Sequence, residues 1–105
     1  MINVPLPAGT DGEKFRAAVT REFAPALESF APQMVFVSAG FDAHAHDVLG
    51  GLNLVRDDYI WITHFILEVA QQHAHNRVVS TLEGGYELHA LADSAAAHIR
   101  TLAGL

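Results

Sequence analysis

The chain of 105 residues contains no cysteine at all. This absence excludes a disulfide framework, a zinc site built on thiolates and a cysteine nucleophile. It fits a reducing compartment, and we therefore expect a cytoplasmic protein.

Basic residues and long hydrophobic runs are also scarce. Six Lys or Arg residues face 12 Asp or Glu residues, which gives a formal net charge of −6. We expect no nucleic-acid partner, because such binding depends on clustered Lys and Arg. The most apolar stretch, at residues 60–70, is interrupted by His64 and Glu68. It is too short to cross a bilayer, so we expect no membrane partner either.

The hydrophobic content is high for so short a chain. Half of the residues are hydrophobic, and the mean hydropathy is +0.21. That supply is sufficient for one hydrophobic core, so we predict a single domain over residues 1–105.

The first part of the sequence predicts an extended segment followed by a helix. Residues 2–7 are typical of the end of a strand whose earlier part is missing. Thr10 and Glu13 have the spacing of a capping box, and the apolar periodicity then predicts a helix over 11–30. Pro25 lies inside that helix and should kink it or split it.

Two apolar runs alternate with helical patterns in the rest of the chain. Residues 34–39 and 77–83 lack polar alternation, which is typical of strands buried on both faces of a parallel sheet. Helices are predicted over 57–73 and 87–102. The order (β)-α-β-α-β-α therefore predicts an α/β layered fold with parallel crossovers, and in such folds ligands bind beyond the carboxyl ends of the strands.

Asp42 stands just beyond the first of these strands, in the segment Asp-Ala-His-Ala-His-Asp. Together with His44, His46 and Asp47 it forms a possible ligand set for a divalent metal, since carboxylate and neutral imidazole both suit zinc. The alternative is a solvated polar loop in which Asp42 caps a turn.

Tyr86 stands just beyond the second strand, after Gly84 and Gly85. Two glycines allow the backbone to approach a ligand closely, and the phenol of Tyr86 can donate a hydrogen bond to a developing oxyanion. A buried tyrosine that satisfies its hydroxyl against the backbone would have the same pattern.

Four segments carry a resemblance to a known family: residues 3–9 (NVPLPAG), 37–44 (VSAGFDAH), 49–54 (LGGLNL) and 82–86 (LEGGY). They resemble the carboxyl-terminal part of the catalytic domain of the histone deacetylase superfamily, which includes acetylpolyamine amidohydrolases and acetoin-utilisation proteins. The sequence is most similar to class II-like bacterial members. The resemblance implies an arginase-like α/β/α architecture and a zinc-dependent amidohydrolase acting on acetyl-lysine or acetylpolyamine.

The resemblance also implies roles for individual residues. Asp42 matches a zinc-ligating aspartate, and Tyr86 matches the tyrosine that donates a hydrogen bond to the substrate carbonyl. Gly84 and Gly85 match glycines beside the acyl tunnel, and Leu49 matches an apolar residue that lines it. The family motif Gly-Asp-Pro-Leu-Gly is replaced here by His-Asp-Val-Leu-Gly at positions 46–50.

The resemblance implies a pair of catalytic histidines and an Asp-x-His pair of zinc ligands that this sequence lacks. Because a catalytic zinc takes three protein ligands, we expect the chain to be inactive alone. We expect its partner to be another copy of the chain, as a homo-oligomer, or a separate amino-terminal deacetylase portion. The alternatives are a non-catalytic oligomeric domain descended from a deacetylase, and a metal site rebuilt from Asp42, His44, His46 and Asp47.

Overall fold

The computed structural model describes residues 1–105 and contains three helices and two strands. In chain order these are α1 (Gly12–Phe30), β1 (Val35–Ala39), α2 (Arg56–His73), β2 (Val78–Leu82) and α3 (Leu88–Leu102). The predicted order (β)-α-β-α-β-α is confirmed except for its first strand. None of the three helices combines the length and the hydropathy that a membrane span requires.

The two strands form a parallel sheet in which Val35 pairs with Val78 and Ala39 pairs with Leu82. Because the strands run parallel, with α2 as the crossover between them, their carboxyl ends lie side by side at one edge of the sheet. The sheet has only these two strands, so each strand also has an unpaired edge.

The prediction that both faces of the sheet are buried is wrong for this chain. On one face, Val37 lines a cavity with Phe15 of α1, Ile62 of α2 and His98 of α3. On the other face Phe36 is 73% exposed, and Val79 of the neighbouring strand is 41% exposed. All three helices contribute side chains to the Val37 face, and the Phe36 face remains open.

The amino-terminal region differs from the sequence prediction at two points. Residues 2–7 form no strand. Asp11, rather than Thr10, caps α1: its carboxylate accepts a hydrogen bond from the amide of Lys14 at 3.0 Å. The Thr10 hydroxyl is engaged elsewhere, because it donates to the Pro7 carbonyl oxygen at 2.6 Å.

Pro25 does not split α1, which continues without interruption to Phe30. A proline inside a helix lacks the amide donor, and its ring crowds the carbonyl group four residues earlier, here that of Arg21. The side chain of Pro25 is exposed, so no buried neighbour is displaced by the ring.

The core lies between the helices and the inner face of the sheet. Phe41, Leu54 and Tyr59 form its buried centre, and Phe15 and Leu91 pack against them. The rings of Phe41 and Tyr59 are 5.1 Å apart. Phe41 directly precedes Asp42, so the core fixes the backbone at the start of the candidate site.

A series of side-chain hydrogen bonds joins β2 to α2 and α3. The hydroxyl of Thr63 donates to the Tyr59 carbonyl oxygen at 2.6 Å, so His98 Nδ1, 2.7 Å from that hydroxyl, must be the donor. His98 Nε2 is then the acceptor for the Ser80 hydroxyl at 2.8 Å. Burial lowers the pKa of His98, which keeps the ring neutral.

Candidate functional site

The site lies where the two parallel strands end. Beyond β1 the amide of Phe41 donates to the Gly84 carbonyl oxygen at 2.8 Å, and beyond β2 the amide of Glu83 donates to Ala39 at 3.0 Å. These two bonds continue the pairing past the regular sheet. They place the segment that carries Asp42 directly beside the segment that leads to Tyr86.

Glycines surround the carboxylate of Asp42. A Cβ atom added at Gly84 would lie 2.9 Å from Asp42 Oδ2, and one added at Gly40 would lie 3.0 Å from Oδ1. Either distance is shorter than an ordinary contact, so a side chain at Gly40 or Gly84 would have to displace the Asp42 carboxylate. Asp42 is half-buried, and its carboxylate takes part in none of the side-chain hydrogen bonds of the chain. One carboxylate is therefore available for a ligand.

Asp47 is buried, with 4% of its surface exposed, and both of its carboxylate oxygens are engaged. Oδ1 accepts from the amide of Leu49 at 2.9 Å. Oδ2 accepts from the amides of Tyr86 at 2.8 Å and Glu87 at 3.3 Å. These backbone hydrogen bonds, that from Tyr86 first, lower the pKa of Asp47. Asp47 is thus an ionised acceptor for backbone amides.

The two histidines of the loop lie against each other, with ring centroids 4.9 Å apart. His44 is buried, and its Nδ1 accepts from the amide of His46 at 3.0 Å. In the neutral ring the proton is therefore on Nε2. His46 is exposed. The chain contains no group of three or more His, Asp or Glu side chains that could hold a metal ion.

Tyr86 is 59% exposed and lines one groove with Leu49, His46 and Asp47. The structure therefore does not support the interpretation of Tyr86 as a buried tyrosine. The buried tyrosine is Tyr59 instead: it is 6% exposed, burial chiefly raises its pKa, and its hydroxyl has no hydrogen-bond partner. The phenol of Tyr86 is free to meet a ligand that enters the groove.

Gly85 connects this groove to the core. Its φ of 144° is a conformation that favours glycine. A Cβ atom there would also lie 2.8 Å from Leu91 Cδ1 and 3.2 Å from Phe41 Cβ. Gly84 and Gly85 thus differ in their contacts: the first adjoins Asp42 and the second adjoins the core.

Asp42 fits the role of one metal ligand, since it offers a half-buried carboxylate with no competing hydrogen bond. A catalytic zinc takes three protein ligands and an open position. The described side chains do not supply three, so the residues present fit part of such a centre. The motif pattern indicated Asp42 and Tyr86, but the position of Asp47 against the Tyr86 backbone had no signal in the sequence, because 39 residues separate them.

The chain is similar to known proteins of one family. The family model described as "Histone deacetylase domain" matches residues 1–102. "Histone deacetylase 10, chloroplastic" of Oryza sativa subsp. japonica is 40% identical over 103 residues, which are 98% of this chain and 23% of that protein. "Histone deacetylase-like amidohydrolase" of Pseudomonas aeruginosa is 40% identical over 85 residues, which are 81% of this chain and 22% of that protein.

Solved structures also match this chain. The crystal structure of the HDA15 HD domain superimposes with a TM-score of 0.90 at 31% identity, covering 98% of this chain and 28% of that one. The histone deacetylase Clr3 superimposes with a TM-score of 0.88 at 33% identity, covering 99% of this chain and 17% of that one. The chain therefore spans between 17% and 28% of the length of these relatives.

Proposed function

The chain belongs to the histone deacetylase family, and from this premise we propose that it is the carboxyl-terminal segment of a zinc-dependent deacetylase. Its residues 1–105 would form a single domain equivalent to that portion of the catalytic domain. The proposed reaction is hydrolysis of the amide bond of acetyl-lysine or acetylpolyamine. The name of the Pseudomonas aeruginosa relative, an amidohydrolase, supports this reaction class.

The observation that carries the proposal is the pairing of a free carboxylate with an exposed phenol at neighbouring strand ends. Asp42 would provide one zinc ligand, and Tyr86 would donate a hydrogen bond to the substrate carbonyl oxygen. Leu49 would form an apolar wall of the acyl tunnel, and Gly84 and Gly85 would allow the backbone to approach the substrate. When bound, the zinc would polarise that carbonyl and activate a water molecule.

We propose that the chain alone is inactive, since Asp42 by itself cannot hold a catalytic zinc. The remaining ligands would come from an amino-terminal deacetylase portion, in the same polypeptide or in a partner. Docking of that portion would also cover the open face of the sheet around Phe36. We propose a cytoplasmic location, which the lack of cysteine favours.

Zinc calorimetry and an acetyl-lysine hydrolysis assay test this function. We expect neither tight zinc binding nor turnover from the chain alone, and turnover when the amino-terminal portion is supplied. Tyr86→Phe in that assembly should lose turnover, because the variant keeps the ring and removes only the hydroxyl. Turnover by the chain alone would refute the proposed inactivity. An assembly that binds zinc and does not hydrolyse acetyl-lysine or acetylpolyamine would refute the deacetylase function.

The open sheet face favours a second candidate, a non-catalytic domain with an assembly role. Phe36 and Val79 expose apolar surface there, and both strands have unpaired edges that another chain can pair with. A homo-oligomer would cover both features. Stable oligomers that neither bind zinc nor gain turnover from the amino-terminal portion would favour this candidate.

A further inference from the structure

We propose that Asp47 is a positioning residue that fixes Tyr86 and Leu49 relative to each other. This inference rests on the proposed function, in which Tyr86 donates a hydrogen bond to the substrate carbonyl oxygen. The geometry on which it depends belongs to the chain itself. It gives Asp47 a role different from that of the possible metal ligand considered from the sequence.

One carboxylate connects the two sides of the groove. Oδ1 accepts from the amide of Leu49, two residues along the chain, at 2.9 Å. Oδ2 accepts from the amide of Tyr86, 39 residues along the chain, at 2.8 Å and from that of Glu87 at 3.3 Å. Asp47 is only 4% exposed, so water competes little for these bonds. Charge-assisted hydrogen bonds of this kind are stronger than neutral ones.

Tyr86 needs such an anchor because its surroundings give it little restraint. Its side chain is 59% exposed, and it follows Gly84 and Gly85, two residues with wide backbone freedom. The side chain forms no hydrogen bond within the chain. The hydrogen bond from the Tyr86 amide to Asp47 therefore restrains the backbone from which the phenol extends. A tyrosine that donates to a reacting carbonyl must be held in place, since misplacement weakens its action.

The test compares Asp47→Asn and Asp47→Ala with wild type, using the 105-residue chain. Asparagine keeps the shape of the side chain and one of its two oxygen acceptors, whereas alanine removes both oxygens. Asp57→Asn is the matched control, because Asp57 is an exposed residue in the first turn of α2 and the variant makes the same charge change. Amide hydrogen exchange measured by NMR reports on Leu49, Tyr86 and Glu87 individually. The fluorine signals of incorporated 3-fluorotyrosine report on the two tyrosine rings.

We expect the amides of Tyr86 and Leu49 to exchange about tenfold faster in Asp47→Ala, with a smaller increase in Asp47→Asn. Amides in α2 should keep their wild-type rates, and Asp57→Asn should change neither set. The fluorine signal of Tyr86 should shift while that of the core residue Tyr59 does not. A purely structural role would move both tyrosine signals and all amides together. That result, or unchanged exchange at Tyr86, would overturn the inference.

If Asp47→Ala does not fold, Asp47→Asn decides the matter by the same criteria. Failure of this inference can be told apart from failure of the proposed function. Faster exchange at Tyr86 in a protein whose complete assembly hydrolyses no acetylated amine would leave the positioning role intact and refute the deacetylase function. If exchange at Tyr86 is unchanged in the Asp47 variants, while the complete assembly hydrolyses acetylated amines and loses turnover in Tyr86→Phe, the positioning role is refuted and the deacetylase function is supported.

Discussion

Gly50 offers the most direct test of how the Asp42 segment is packed. A Cβ atom added at Gly50 would overlap the carbonyl oxygen of Asp42, and it would lie 3.2 Å from the amide nitrogen of Ala43. These are backbone atoms, so no side-chain rotation can relieve the overlap. In Gly50→Ala the loop must therefore move away from the residue that we propose as a zinc ligand.

The expected cost has two parts. Overpacking of a tight contact costs about 1–3 kcal/mol. Displacement of the loop also weakens the bonds that Leu54 makes with Ala43 at 3.0 Å and with Ala45 at 2.8 Å, each contributing about 1 kcal/mol. If about half of that bond energy is lost, about 1 kcal/mol in total, Gly50→Ala should lower the free energy of unfolding by about 2–4 kcal/mol.

The next residue provides the matched control. Gly51 has a φ of 73°, but an added Cβ atom would find no atom within 4 Å. Gly51→Ala should cost about 1 kcal/mol from backbone strain alone. Gly51→Asn should cost less, because asparagine tolerates this conformation better than alanine does.

Urea denaturation followed by circular dichroism measures these differences, and NMR shifts of the Asp42 and Ala43 amides report on the local movement. We expect those shifts to change in Gly50→Ala and to remain near wild type in both Gly51 variants. If Gly50→Ala is no less stable than Gly51→Ala, the close approach to the Asp42 carbonyl is not a real constraint and the reasoning is refuted.

Three further outcomes follow from the described contacts. Thr63→Val should lower the free energy of unfolding by about 1–3 kcal/mol, because it leaves the buried Nδ1 donor of His98 without a partner. A loss below about 0.5 kcal/mol, measured by urea denaturation, would contradict this prediction. Because burial lowers the pKa of His98 in the folded state, stability should be full above a pH of about 6.5 and decline below it, as the unfolded chain takes up a proton that the folded chain resists. In His98→Gln the free energy of unfolding should fall less between pH 7 and pH 5, as measured by denaturation curves at each pH. A decline as steep as in the wild type would mean that groups other than His98 cause it. The wild-type chain should self-associate through its open sheet face, and Phe36→Glu should lower the mass measured by light scattering; a wild-type chain that stays monomeric at high concentration would count against this.

The order of the elements and the identity of the candidate residues can be predicted from the sequence alone. Apolar runs without alternation are a local signal, so β1, β2 and the helices between and after them could be predicted closely. The positions of Asp42 and Tyr86 just beyond the strands follow from the same reading, since parallel strands bring their carboxyl ends to one edge. The family resemblance also depends on short contiguous motifs, which the sequence displays directly.

The contacts of Asp47 and the coverage of the two sheet faces depend on how the whole chain packs. Asp47 could be a ligand, a cap or a solvated side chain until the chain brings the Tyr86 amide to it across 39 residues. The apolar pattern of β1 indicates that both of its faces avoid water, but it does not show whether this chain covers both. In the structure the chain leaves Phe36 exposed. Local patterns encode local backbone preference, whereas partners distant in sequence are selected by packing of the whole chain.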